Sequence, residues 1–162
     1  VVVGFGGVAG HTFIGLSEVE NSYFHRALTL QDYSAVTAAA LITKKSVFNE
    51  VGGFSEELAV AFNDIDFCMK VRQRGYLVVY NPYALFYHYE SKSRGLEDTP
   101  DRIERFNRET AIFMKRWPDI LKNGDPYYNP NLTLRKSNFA LRDLLNEKIG
   151  EPFVDEKIKK YL

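Results

Sequence analysis

The segment from residue 63 to residue 75 constrains this chain most. It reads Asn63-Asp64-Ile65-Asp66-Phe67-Cys68-Met69-Lys70-Val71 and runs on to Arg74 and Gly75. Phe67, Cys68 and Val71 fall on one stripe at helical spacing. Such a stripe needs a protein body beneath it, so the pattern predicts a core-facing helix over residues 63–74. Gly75 closes it, because glycine supplies a left-handed C-cap without steric penalty. Asn63 suits the N-cap, and Asp66 answers it in capping-box fashion. Stepping back three or four residues from the stripe lands on Asp64. That carboxylate is therefore expected in the first turn, on the inward face, where the helix dipole favours negative charge. Asp66 lies roughly 200° further round the axis and points elsewhere.

A base that takes a proton from a hydroxyl needs that placement: held by the backbone, partly desolvated and open on one side. On pattern alone, however, helix capping is the commoner role for both aspartates.

The rest of the chain arranges itself around this helix. Val1 to Val3 read as a strand end, followed by a loop rich in glycine (Gly4, Gly6, Gly7, Gly10). Residues 22–32 are mixed, with Tyr23, Phe24, His25 and Arg26 close together. Residues 35–43 are small, apolar and partly β-branched, and read as a buried strand. Residues 44–51 have helical spacing and end at Gly52-Gly53. Residues 77–80 and 84–89 read as strands around an Asn81-Pro82 turn. In the second, Ala84, Phe86 and His88 share one face. Thr99, Pro100 and Asp101 open a longer helix that reaches Arg116 or Trp117. Residues 125–133 read as an ordered loop, and the tail from residue 137 has a helical pattern.

Composition narrows the function classes. Lys plus Arg and Asp plus Glu number 21 each, a formal net charge of zero, which argues against nucleic-acid binding as the main task. A single cysteine, Cys68, excludes an internal disulfide framework and makes a reducing compartment the default. No apolar run approaches the roughly 20 residues of a membrane span. The chain begins at Val1, which reads as a start inside a longer protein whose upstream half is missing.

Two further sites carry chemistry. His88, at a strand end, has the donor for a divalent metal. Arg94 followed by Gly95 suits a diphosphate through bidentate bonds and close backbone approach. Taken singly, a satisfied core histidine and a solvated arginine are the commoner readings. Gly4-Phe5-Gly6-Gly7-Val8-Ala9 formally fits the dinucleotide fingerprint, but Gly10 and His11 open no long helix and no acidic strand end follows. A dinucleotide-dependent oxidoreductase therefore rests on that loop alone, and a loop near a binding cleft is the better reading.

Several blocks in order resemble family 2 glycosyltransferases, in particular bacterial enzymes of O-antigen and other surface-polysaccharide assembly. They are Thr37-Ala38-Ala39-Ala40-Leu41-Ile42-Thr43-Lys44-Lys45, Phe48-Asn49-Glu50-Val51-Gly52-Gly53-Phe54, Asn63-Asp64-Ile65-Asp66-Phe67-Cys68, Arg74-Gly75-Tyr76, and Tyr87-His88-Tyr89-Glu90-Ser91-Lys92-Ser93-Arg94-Gly95. The opening glycine stretch and Asp125-Pro126-Tyr127-Tyr128-Asn129-Pro130 extend the resemblance over most of residues 1–135. It implies an α/β chain carrying part of a GT-A fold, a mixed sheet flanked by helices. Residues 1–135 would be the C-terminal part of the catalytic domain and 136–162 a helical tail.

By that resemblance Asp64 matches the general base that deprotonates the acceptor hydroxyl, with Asn63 where the family has an acidic residue. His88 matches a histidine near the metal and diphosphate, and Arg94 the loop residue near the donor phosphates. Thr37, Ala38, Asn63 and Asp66 would border the acceptor and sugar pocket. The expected partners are a nucleotide-sugar donor and a saccharide acceptor, with Mg²⁺ or Mn²⁺ as cofactor and no nucleic acid. Cytoplasmic placement at the inner membrane face, through the parent protein, and a homodimer are further expectations. The family's metal-holding Asp-x-Asp is not upstream of Thr37, since the only such spacing is Asp64-Ile65-Asp66. These residues alone are therefore expected to be inactive, and a degenerate, non-catalytic docking module is the alternative.

Overall fold

The structure is a computed structural model that describes residues 1–17, 22–89, 99–147, 159 and 161–162. Helix α2 spans Asn63–Gln73 and buries Ile65, Asp66, Phe67, Cys68, Met69 and Val71. Gly75, at φ 83°, follows it as expected. Its start differs from the expectation. The N-cap is Phe62 in a left-handed conformation (φ 60°), and Asn63 is the first helical residue. The Phe62 carbonyl accepts the first helical bond, from Asp66 N at 2.8 Å. The Phe62 ring packs on Phe106 and Phe113 of the next long helix, at 5.6 and 5.5 Å, and so holds the cap position against Asn63.

Three other helices frame α2. Helix α1 is Lys45–Glu50, ended by Gly52 and Gly53 at positive φ. Helix α3 is Pro100–Arg116, and α4 is Pro118–Asn123. Helix α3 buries Glu109, Thr110, Ala111, Phe113 and Met114. The main core joins these faces: Val47 of α1, Ile65, Phe67, Cys68, Met69 and Val71 of α2, Phe113 and Met114 of α3, and Leu121 of α4. A second cluster groups Val2, Phe5, Tyr128, Leu132 and Phe139.

Strands and helices are both present, but the strands do not form one mixed sheet. Among the described residues there are two separate antiparallel pairs. Strand β1 (Val2–Val3) pairs with β2 (Ala9–Gly10), in the register Val2↔Gly10. Strand β3 (Gln31–Asp32) pairs with β4 (Val79–Tyr80), in the register Gln31↔Tyr80.

Three predicted elements do not form. Residues 35–43 hold a short 3₁₀ turn, Ala38–Ala40, in place of a strand. Side chains take the N–H groups a ladder would need: Thr37 Oγ1 accepts from Ala39 N at 3.3 Å and Asp64 Oδ2 from Ala38 N at 2.9 Å. Residues 84–89 are exposed and join no described strand, and Ala84 N bonds back to the Asn81 carbonyl at 3.4 Å, within the turn. The tail from 137 to 147 is turns and one bridge, Leu132↔Leu141, rather than helix. Its backbone pairs with residues 131–133 instead, through Thr133 N to Ala140 O at 2.9 Å and Arg142 N to Asn131 O at 2.8 Å. Residues 148–158, where the helical pattern continues, lie outside the described residues.

Candidate functional site

The turn at Thr37 and the start of α2 meet at Asp64. Asp64 Oδ1 accepts from Ile65 N at 2.9 Å, and Oδ2 from Ala38 N at 2.9 Å. The carboxylate thus spans two segments 26 residues apart in sequence and is fixed from both. Asn63 and Asp64 are half-buried, Thr37 is half-buried, and Ala38 to Ala40 are exposed. The alanine side chains at this turn are small and exposed to solvent. Each carboxylate oxygen has two acceptor positions, so one backbone bond apiece leaves capacity for an incoming hydroxyl. Phe62, immediately before, sits in a backbone conformation that costs an L-residue about 1–2 kcal/mol. Buried Glu109 of α3 steadies this approach by accepting from Val60 N at 3.2 Å and from Ala61 N.

Asp66 has a different task from the pocket-lining one expected of it. It is fully buried, and its oxygens accept from Ser55 Oγ at 2.6 Å, Trp117 Nε1 at 2.9 Å and Arg116 Nη1 at 3.1 Å. Lys70 Nζ lies 3.4 Å away, one turn along the helix. Burial works against the ionised form, but the bonds from Ser55, Trp117 and Arg116 and the Arg116 charge outweigh it and hold the carboxyl below its ordinary value. Asp66 therefore locks α2 to the end of α3, while Asp64, two residues earlier, faces the open turn.

Cys68 lies on the buried side of α2, with Sγ 3.7 Å from the Val36 carbonyl. Burial pushes its thiol up to about 11, so it stays protonated and is a poor nucleophile.

His88 is exposed on the stretch 84–89, not at the end of a formed strand. Arg94 lies outside the described residues. Among the described residues no group of three His, Cys, Asp or Glu side chains could hold a metal ion. The described residues thus do not by themselves fit a bound Mg²⁺ or Mn²⁺. Nor does any helix among them have the length and apolarity to cross a membrane.

The glycine loop has a structural explanation. Gly4, Gly6 and Gly7 have φ of 103°, 59° and 96°, and the turn Phe5–Gly7 returns the chain into β2. No helix follows through residue 17, so among the described residues no helix N-terminus there faces a phosphate as a dinucleotide site needs. Gly6 N bonds to Leu134 O at 3.0 Å, and a Cβ on Gly4 would lie 3.0 Å from the Leu134 side chain.

A cleft of about 510 Å³, which no sequence motif marks, opens between the turn Tyr23–Leu28, strand β3 and the loop around Tyr127. Its local signal is the crowding of Tyr23, Phe24 and Arg26. Nothing local connects them to Tyr127, whose carbonyl accepts from Arg26 Nη2 at 3.0 Å across 101 residues.

No protein-family model matches the chain, and no solved structure matches it. Curated relatives do. The chain is 50% identical over 142 residues to the uncharacterized protein y4gI of Sinorhizobium fredii (strain NBRC 101917 / NGR234), covering 87% of this chain and 16% of that protein. It is 33% identical over 144 residues to the O-antigen biosynthesis protein RfbC of Myxococcus xanthus, covering 88% of this chain and 11% of RfbC. A third relative is the N-acetylglucosaminyl-diphospho-decaprenol L-rhamnosyltransferase of Mycobacterium tuberculosis (strain CDC 1551 / Oshkosh), 29% identical over 79 residues, 49% of this chain and 25% of the enzyme. The chain therefore spans only a small part of the length of each relative.

Proposed function

We propose that this chain, a relative of bacterial glycosyltransferases of polysaccharide assembly, is the acceptor side of an enzyme that passes a sugar from a nucleotide-sugar donor to a saccharide hydroxyl. The observation that carries the reading is the Asp64 turn: a carboxylate tied to Ala38 N and Ile65 N, beside exposed alanines, with acceptor capacity to spare. In the whole protein Asp64 takes the acceptor proton as its oxygen attacks the anomeric carbon, and a single displacement inverts that centre. Ala38 N holds Oδ2 in place throughout. Thr37 and Asn63 border the acceptor, and His88 and Arg94 face the leaving diphosphate. A divalent metal would supply positive charge to that diphosphate. The fold assigned to the whole domain is GT-A, and its place is the cytoplasmic side of the membrane.

The donor cradle is proposed to come from sequence outside residues 1–162, so these residues alone carry no turnover. A non-catalytic docking module is favoured by one observation, the exposed row Tyr83, Leu85, Phe86, Tyr87 and Tyr89, between 63% and 83% exposed. Titrating nucleotide sugar and Mn²⁺ into the whole protein separates the readings. Binding heat followed by an inverted anomeric product supports the transferase, and no heat supports the docking module.

A further inference from the structure

The cleft beside the turn Tyr23–Leu28 shares no lining residue with the Asp64 turn. Three aromatic rings, Tyr23, Phe24 and Tyr127, line it. Tyr23 stacks on Phe139 at 4.7 Å with 6° between the planes, and Phe24 meets Tyr23 edge-on at 4.7 Å. Tyr127 closes the opposite side, with the Arg72 guanidinium 5.2 Å from its ring centroid. Phe24 is 81% exposed, yet its backbone is left-handed (φ 49°), as is that of His25 (φ 53°). Burial of the Phe24 ring does not offset that strain. Strain kept at an exposed aromatic is the kind that marks a binding surface.

The polar groups complete a recognisable set. Arg26 is anchored by the Tyr127 carbonyl and lies over the Tyr33 ring at 5.3 Å, while its Nε is buried without a partner among the described residues. The Asp32 side chain is half-buried and accepts no hydrogen bond among the described residues. Asn129 Oδ1 caps Asn131 N at 2.9 Å, which leaves its amide donors available. One arginine and one aspartate cancel, so an anion meets Asp32 and a cation meets Arg26. A neutral ring with a C–H face and a rim of hydroxyls satisfies both the aromatic walls and the planar polar groups. The volume lies within the range of about 300–1,000 Å³ for small-molecule sites.

We infer that this cleft binds a neutral pyranose, a unit of the acceptor saccharide, at a place separate from the Asp64 turn. Only the word acceptor rests on the transferase reading, since sugar binding itself stands on the cleft.

The test is saturation-transfer NMR on the whole protein, with methyl glycosides of D-glucose, D-mannose and L-rhamnose, N-acetyl-D-glucosamine, and inorganic phosphate as the anionic control. Saturation is expected on the ring C–H protons of at least one sugar. Phe24→Ala and Asp32→Ala should each weaken its binding about tenfold or more, with Phe24→Tyr retaining it. Thermal midpoints of the Phe24 variants should match the parent, because Phe24 is exposed. Asp64→Asn should bind the sugar as the parent does. Absence of binding by all four sugars, binding unchanged in both alanine variants, or displacement of sugar by phosphate overturns the inference. If turnover depends on Asp64 while the cleft binds no sugar, the transferase reading stands and the cleft assignment falls.

Discussion

Asp64 and Asp66 look alike in the sequence, and replacing each by alanine should separate them by stability. Asp66→Ala removes a fully buried carboxylate that accepts from Ser55, Trp117 and Arg116 and lies 3.4 Å from Lys70. Breaking a buried pair by deleting one partner costs about 3–5 kcal/mol. Arg116 and Lys70 side chains are 30% and 20% exposed, so both cations regain some water and the loss falls toward about 3 kcal/mol. For a chain of this size that lowers the thermal midpoint by roughly 6–12 °C. Asp64→Ala removes two bonds to backbone N–H groups at an open turn, for about 0.5–1.5 kcal/mol. The assay is urea unfolding followed by fluorescence of Trp117, the one tryptophan of the 162 residues and a direct partner of Asp66. Equal losses for the two variants, or a loss under about 1 kcal/mol for Asp66→Ala, would refute the division of labour.

Asp66 also sets a pH dependence: with its folded-state value below the ordinary one, its stabilisation is complete above about pH 4 and fades as pH falls through the lowered value. Acid titration of stability should show that limb in the parent and a flatter one in Asp66→Ala. Glu109→Ala should cost about 2 kcal/mol and raise amide exchange at Val60 and Ala61 roughly thirtyfold, because both N–H groups lose their carboxylate acceptor. Cys68, with its thiol pushed up to about 11, should resist iodoacetamide at pH 8 until denaturant is added, and labelling of the folded chain would contradict its buried placement.

Helix α2 was legible because its signals are local: an apolar stripe at helical spacing, an acidic first turn and Gly75. The same holds for α1 before Gly52-Gly53 and for α3 from Pro100. The segment 35–43 misled because its composition suits a strand, while Asp64 and Thr37 claim its N–H groups from outside the local pattern. The cap at Phe62 depends on rings of α3 more than 40 residues away. Residues 137–147 depart from their helical pattern for a similar reason. Phe139 turns into the second core against Tyr23 and Phe13. At the site, helical geometry separated the directions of Asp64 and Asp66, but it gave the inward face to Asp64, whereas the structure buries Asp66 and leaves Asp64 half-buried beside the turn at Ala38. The burial of Asp66 was hidden because its partners Ser55, Arg116 and Trp117 come from other segments. The sugar-sized cleft was hidden because Arg26 and Tyr127 meet across 101 residues.

The transferase reading requires Asp64 to be the base. The most direct measurement is the turnover of Asp64→Asn in the whole protein, beside donor affinity measured separately by calorimetry. Turnover is expected to fall by about 10²–10⁴-fold while donor affinity stays within a few fold of the parent. Turnover at the parent rate in Asp64→Asn would contradict it.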